Sequence, residues 1–126
     1  MKYIIAPTQQ DVIGYKKVYY TPTGHNHCIV TLWIPKGTLV GAYDQKGRFD
    51  LHRKLRAEKA VVLQIEQLYP RDGQLKFVDQ AHSRWDSTFI YQPLKEVVPR
   101  NRFSRKRKEC ESGIHFFLTR KEAEEY

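Results

Sequence analysis

AVVLQIEQLYPRDGQLKFV, residues Ala60–Val78, contains the features that decide the fold. Its first part, Ala60 to Leu68, is a short run of apolar and β-branched residues, which favours a strand. Asp72-Gly73 tolerates the positive φ angles of a tight hairpin. The segment therefore predicts that Val61 to Leu68 pairs antiparallel with Leu75 to Val78.

The other apolar runs are also short and rich in β-branched and aromatic residues, so they predict further strands. Turn signals such as Pro35-Lys36-Gly37 separate them. Two middle segments differ: Arg53 to Lys59 is a helical candidate, and Val40 to Leu51 lacks a clear period and is expected to be a loop. The further strand candidates are Tyr3 to Ala6, Tyr15 to Tyr20, Ile29 to Ile34, Thr88 to Tyr91 and Ile114 to Leu118.

One helix is predicted at the end of the chain. Thr119-Arg120-Lys121-Glu122 matches the capping box, in which the Thr hydroxyl and the Glu carboxylate each satisfy an orphan amide. With 126 residues the chain fits one domain. The sequence therefore predicts a single α+β domain over residues 1–126, mainly antiparallel β, with a short C-terminal helix. The hydrophobic periodicity of the sequence does not distinguish a β-barrel from a β-sandwich.

Positive charge is concentrated in a basic loop at about residues 95–108. This loop holds seven bases and one acid, which accounts for +6 of the formal net charge of +8. So many like charges repel one another, and an anion relieves that repulsion by displacing counterions. The alternative is a solvated loop without a dedicated partner. The basic residues that lie closest together in the sequence are Arg100, Arg102, Arg105, Lys106, Arg107 and Lys108.

Further residues are candidates for the same polyanion site. Phe103 lies among the cations and is a candidate for stacking a base, or else for anchoring the loop to the core. Arg53, Lys54 and Arg56 are expected to form a second basic edge. Strand alternation places His115 on the face opposite Ile114 and Phe116, which is expected to be the more open one. There it is expected to hydrogen-bond an anion, to sense pH, or to be a structural histidine.

Enzymatic and metal signatures are missing from the sequence. No phosphate-binding loop of the Gly-x4-Gly-Lys type and no Gly-x-Ser-x-Gly is present. His82, Ser83 and Asp86 are close in sequence, but adjacent residues seldom form a triad, and we expect Ser83 and Asp86 to bond the amides of their own turn. His25 and His27 lack enough partner ligands for a metal site. We therefore expect no catalytic residue, no metal and no cofactor.

The sequence also restricts the compartment. No stretch approaches the about 18 apolar residues that a membrane helix requires. Only four apolar residues lie between Lys2 and Pro7, too few for a signal-peptide core. We therefore expect a cytoplasmic protein that does not contact a membrane, with Cys28 and Cys110 as free thiols.

Four segments together resemble a known family. They are Ile29 to Pro35, Lys54-Leu55-Arg56-Ala57, Ala81-x-Ser-x-x-Asp-x-x-Phe-Ile-Tyr91 and the run Glu109 to Ala123, which contains Cys-x-x-Gly-Ile-His-Phe-Phe. Their order resembles a small domain of unknown function found in bacteriophages, bacteria and large DNA viruses, sometimes fused to pentapeptide repeats. The resemblance implies a phage or viral source, hence the host cytoplasm, and no known activity or catalytic residue can be carried over from the family to this chain.

We therefore expect a non-enzymatic accessory protein that binds a polyanionic partner. That partner is expected to be nucleic acid, a nucleoprotein complex of the host, or a nucleotide signal. A counter-defence role, such as inhibition of a CRISPR system, would fit a phage source. Two other classes stay open: an enzyme that acts on a nucleotide, with His115 and Asp86 as acid and base, and a structural module of a virion.

Overall fold

The described residues form two antiparallel sheets and one short helix, which belong to a single compact domain. The computed structural model describes residues 2–20, 26–45, 48–49 and 53–126. The elements in chain order are β1 (Tyr3–Pro7), β2 (Val12–Tyr20), β3 (His27–Ile34), β4 (Leu39–Gln45), β5 (Arg48–Phe49), β6 (Leu55–Ala57), β7 (Ala60–Gln67), β8 (Ala81–His82), β9 (Ile90–Tyr91), β10 (Glu96–Val97), β11 (Ile114–Phe116) and α1 (Arg120–Glu125).

The larger sheet has the strand order β10-β7-β3-β2-β8-β9, and the smaller has β1-β4-β6-β11, with β5 paired to β4. Buried residues from both sheets form one cluster, because each sheet directs one apolar face toward the other. Val18, Val30 and Ile65 contribute from the larger sheet, and Val40 and Phe116 from the smaller. Most of the core therefore depends on packing between the two sheets.

The two sheets are joined by backbone hydrogen bonds between Tyr15 in β2 and Phe117 just after β11. Each amide donates to the other's carbonyl at 2.8 Å. Further along the same edge of β2, Tyr19 pairs with His82 of β8. Between these two pairings, no described strand pairs with that edge of β2. The interruption at Lys16 and Lys17 is the most important feature of the fold for the site described below.

The predicted hairpin is confirmed, although its second arm is short. Gly73 has a φ of +70° and donates its amide to the Pro70 carbonyl at 3.0 Å. Glu66 pairs antiparallel with Phe77 in an isolated bridge. Leu75 and Phe77 are 65% and 55% exposed, so this arm lacks the buried face that would extend it into a strand.

The predicted C-terminal helix is also confirmed. Thr119 is its N-cap, and its Oγ1 accepts from the Glu122 amide at 3.2 Å. Ala123 packs with Ile29 and Leu68 in a second, smaller apolar cluster on the outer face of the larger sheet. Arg120 fixes the helix further by donating two hydrogen bonds of 2.7 Å to the Glu66 carboxylate.

Loss of the N-cap is expected to destabilise the protein modestly. In Thr119→Ala the hydroxyl that accepts from the Glu122 amide is lost, so we expect the free energy of unfolding to fall by about 1 kcal/mol. Urea denaturation measures this change. Thr119→Ser keeps the hydroxyl and is the matched control; equal losses in both variants would contradict the capping role.

Two middle segments differ from their predicted structure. Arg53 to Lys59 is not a helix: it contains β6, whose three residues are all buried because β6 lies between β4 and β11. Val40 to Leu51 is not simply a loop, because Leu39–Gln45 forms β4 in the middle of the smaller sheet. A Cβ on Gly41 would lie 2.4 Å from the Tyr3 hydroxyl, so this glycine leaves room for the Tyr3 side chain. Residues 46, 47, 50 and 51 lie outside the described part.

Candidate functional site

The basic loop is organised around the side chain of Arg56. This side chain is fully buried, and its guanidinium donates to four main-chain carbonyls. The distances are 2.6 Å to Ser104, 3.0 Å to Ser112 and 3.1 Å to Lys108, and the fourth acceptor is the Lys106 carbonyl. A planar guanidinium has five N–H donors in a fixed fork, so it can hold several carbonyls at once.

This arrangement separates the loop's carbonyls from its cationic side chains. The bound carbonyls turn inward to Arg56, while the side chains of the flanking bases are exposed. The partial negative charge of these oxygens is therefore directed away from the outer surface of the loop. The exposed cations of this surface are Arg102, Arg105, Lys106, Arg107 and Lys108.

The prediction that Arg56 and Phe103 contact a polyanion therefore needs correction. Arg56 has no exposed surface through which to contact a partner. Phe103 is half-buried, and the Arg56 guanidinium carbon lies 4.7 Å from the centroid of its ring. The cation covers one face of the ring, and the half-buried position of Phe103 favours anchoring of the loop over stacking of a base.

Gly113 makes the close approach of Arg56 possible. A Cβ at this position would lie 2.8 Å from the Cβ of Arg56. Among the described glycines, positive φ values belong to Gly37 and Gly73 and not to Gly113. The role of Gly113 is therefore to leave space for Arg56, and no left-handed backbone is involved.

The other predicted bases have specific neighbours. The Arg53 guanidinium lies 4.0 Å above the Tyr43 ring and its Nε is 3.8 Å from a Glu109 carboxylate oxygen. Lys54 Nζ donates to the Tyr126 hydroxyl at 2.9 Å. Arg100 is exposed, but its Nε donates to the Asp86 carboxylate at 2.8 Å. The expected second basic edge is thus reduced to Arg53 and Lys54.

His115 lies on the face of β11 opposite the core, as strand alternation predicts. It is half-buried, and its Nε2 is 3.2 Å from the Glu109 carbonyl. Burial, followed by the charges of Lys16 and Lys54, lowers the pKa of His115 to about 4. A pKa this low favours the neutral imidazole near pH 7, so this position favours a hydrogen-bonding or structural histidine over a sensor of physiological pH.

A cavity lies where the edge of β2 is interrupted, and we call it the lysine cleft. Its volume is about 200 Å³. Trp85, Phe117 and Tyr126 provide aromatic walls. A second cavity of about 510 Å³ shares Lys16, Ser83, Trp85, Cys110 and His115 with it. The titratable groups and arginine of the lysine cleft are Lys16, Lys17, Lys54, Arg84, Cys110 and His115.

Lys16 was missed by the sequence predictions. Alternation along β2 places it on the same face as the buried residues Gly14 and Val18, so its aliphatic stem enters the space between the sheets. Burial, followed by the charge of Lys54, lowers the pKa of Lys16 to about 8. A signal was present in the sequence: two consecutive lysines in a strand must point to opposite faces, so one of Lys16 and Lys17 had to face the core side.

His82, Ser83 and Asp86 do not form a catalytic triad. His82 Nδ1 is 2.9 Å from the Ser83 carbonyl. One oxygen of Asp86 accepts from the Thr88 amide at 2.9 Å, as expected for a carboxylate that bonds its own turn. Bonds from the side chain and amide of Thr88 lower the pKa of Asp86. Asp86 and His115 do line the same larger cavity, but this carboxylate is already bound to Thr88 and Arg100.

Both cysteines are free, as predicted. Cys28 is buried, which raises the pKa of its thiol to about 11, whereas Cys110 is exposed. No group of three or more His, Cys, Asp and Glu side chains that could hold a metal occurs among the described residues, and His25 lies outside them. In the same part of the chain, no helix has the length and apolar character to span a membrane.

Comparison with known proteins identifies the family and nothing narrower. Neither the curated proteins nor the solved structures contain a match to this chain. The family described as "Family of unknown function (DUF5758)" matches residues 2–123, which include both sheets, the basic loop and every residue lining the lysine cleft except Tyr126. The chain therefore belongs to this family of unknown function.

Proposed function

We propose that the protein binds nucleic acid through the basic loop. The observation that carries this proposal is the buried guanidinium of Arg56, which holds the loop's carbonyls inward and leaves five cationic side chains exposed. A nucleic acid strand offers a row of phosphates that such a surface can neutralise. Because the contacts are to phosphates, the binding is expected to depend little on base sequence.

The fixed shape of the loop supports binding further. A loop that must become ordered on association loses conformational entropy, and this loss weakens the complex. Here the loop is ordered in the free protein by bonds to Arg56 and by the Ser104 amide, which donates to the Ser112 carbonyl at 3.1 Å. The Ser112 hydroxyl also donates to the Asn101 carbonyl at 2.9 Å. The cations are therefore presented without a folding step.

A salt titration tests the proposal. A fluorescently labelled single strand with a 5′-hydroxyl end is titrated with the protein at 50 and 200 mM salt, and anisotropy gives the affinity. If the five exposed cations each contact a phosphate, we expect affinity to fall about a hundredfold over this range, from a slope near 0.7 per phosphate contact. A change of less than about threefold, or no binding at 50 mM, would contradict the proposal.

The expected role against host defence is a further part of this proposal. It rests on the resemblance of the C-terminal motif to a domain found in phages. A protein that covers a nucleic acid strand would block access of an effector to that strand. A pull-down from host lysate tests this role. Capture of a nucleoprotein complex supports it if nuclease treatment abolishes the capture, whereas capture that resists nuclease indicates a protein partner instead.

A further inference from the structure

The lysine cleft is created by the strand topology. On one edge of β2, Tyr15 pairs with Phe117 and Tyr19 pairs with His82, and the intervening stretch has no pairing strand in the described parts of the chain. Lys16 and Lys17 occupy that stretch and line the cavity. The strand residues Lys16, Lys17 and His115 of the lining are therefore held by the two sheets, which favours a pre-formed site. The rest of the lining, including Ser83, Arg84, Trp85 and Cys110, lies outside the strands.

The charged side chains that line the lysine cleft are of one sign. Four cationic side chains line it, those of Lys16, Lys17, Lys54 and Arg84, and no Asp or Glu side chain does so among the described residues. Two are held by neighbours that are not carboxylates: Lys17 Nζ donates to the Glu124 carbonyl at 3.1 Å, and Lys54 Nζ donates to the Tyr126 hydroxyl. Each ammonium has three donors, so both keep donors for a ligand.

Lys16 lacks a protein partner within the described residues. No hydrogen bond or ion pair of its ammonium is found there, although the side chain is half-buried on the core-facing side of β2. A partly desolvated charge without a counter-charge is unfavourable, and an anion in the cavity would remove that penalty. The lowered pKa of Lys16 is consistent with the missing counter-charge.

We propose that the lysine cleft binds the terminal phosphate of a nucleotide, a phosphate monoester, with Lys16 as its central contact. The choice of a nucleotide rests on the proposed function, whereas the affinity for a phosphate monoester rests on the cleft alone. A monoester is a dianion near neutral pH and matches several cations better than a carboxylate does. It also ends a chain, so it can enter a cavity of about 200 Å³.

Trp85 is placed to contact the rest of the nucleotide. It lines both cavities, is 81% exposed, and has the Arg84 guanidinium 4.6 Å from its ring centroid. An exposed indole beside a phosphate site can stack a base, and the arginine adds a charge near the phosphate. The larger cavity of about 510 Å³ gives the sugar and base space next to the cleft.

Binding by this site is expected to depend on pH. Lys16 loses its proton above a pH of about 8 in the free protein, so affinity should fall as pH rises through that value. His115 stays neutral near pH 7 and acts there only as a hydrogen-bonding group. The titratable and charged groups that line the cavities around Lys16 are Lys17, Lys54, Arg84, Cys110, His115 and Tyr126 in the cleft, and Asp86, Tyr91, Arg100 and Glu111 in the larger cavity.

Calorimetry with adenosine 5′-monophosphate, adenosine and inorganic phosphate tests the proposal on the full chain. We expect the monophosphate to bind, adenosine not to bind, and Lys16→Gln to weaken the monophosphate at least tenfold. Lys36→Gln removes an exposed lysine that lines neither cavity and is the matched control, expected within twofold of wild type. Thermal melting verifies that Lys16→Gln is folded. Arg84 is exposed, so Arg84→Gln gives a second variant that is expected to weaken binding.

Two oligonucleotide arms distinguish the source of the phosphate. If a strand with a 5′-phosphate binds at least tenfold tighter than its 5′-hydroxyl counterpart, and this gain in affinity is lost in Lys16→Gln, the site binds strand ends. Equal affinity of the two strands, with the monophosphate bound, assigns it to free mononucleotides. The proposal is overturned if neither the monophosphate nor the 5′-phosphate adds affinity, or if both Lys16→Gln and Arg84→Gln bind as wild type. Binding of the 5′-hydroxyl strand reports separately on the basic loop.

Discussion

Arg56→Met is expected to lower the free energy of unfolding by about 3–5 kcal/mol, because the thioether leaves four carbonyls without their charged donor. Methionine retains much of the side-chain volume, so the loss reports mainly on hydrogen bonding. Urea denaturation measures the global effect. Limited trypsin digestion measures the local one, since a basic loop released from Arg56 should be cut rapidly at its exposed bases.

Two further variants separate the charge of Arg56 from its geometry. Arg56→Lys keeps the charge but offers fewer donors on a single nitrogen, so we expect it to recover only part of the loss. Arg53→Met removes an exposed arginine three residues away, and we expect a change below about 1 kcal/mol, as for other surface ion pairs. If Arg56→Met is as stable and as trypsin-resistant as Arg53→Met, Arg56 does not organise the loop.

Charge reversal of the basic loop is expected to have the largest effect on binding. In the variant with glutamate at Arg105, Lys106, Arg107 and Lys108, affinity for the 5′-hydroxyl strand should fall more than about a thousandfold at 50 mM salt. Thermal stability should be almost unchanged, because exposed like charges contribute little to folding. The loop also bonds Arg56 through carbonyls, which these substitutions keep. Anisotropy titrations and melting curves measure both quantities.

A second fourfold variant controls for net charge. Glutamate at Lys2, Lys36, Arg71 and Lys121 changes the net charge equally, at exposed positions outside the loop. We expect this variant to lose much less affinity, because the loop keeps its direct phosphate contacts. Equal loss in the two variants would mean that binding follows the overall charge and that the loop has no special part in it.

Local sequence signals predicted the parts of the fold that are determined locally. The β-branched runs of β3 and β7, the turn at Asp72-Gly73 and the capping box at Thr119 each depend on residues close in sequence. The strands β4 and β6 were missed because their positions depend on distant neighbours. The segment Leu55-Arg56-Ala57 contains a charged residue that becomes buried only when carbonyls 48 to 56 positions away surround it.

As with the fold, the sequence predicted only part of the candidate site. Charge density was enough to locate the basic loop, because counting needs no structure. It could not show that Arg56 lies beneath the loop while Arg105 lies on it, since both are arginines with other charged residues close in sequence. The lysine cleft was missed because it depends on where pairing along β2 stops, and pairing partners of that edge lie more than 60 residues away.

The way Arg56 holds the loop has a consequence for how this protein can diverge. Its bonds go to main-chain oxygens, which every amino acid provides, so the side chains at positions 105 to 108 are not needed to keep the loop in shape. Substitutions there can accumulate without loss of the scaffold. A lineage could thus exchange one target for another by rewriting a few surface residues, much as an antibody framework carries interchangeable recognition loops.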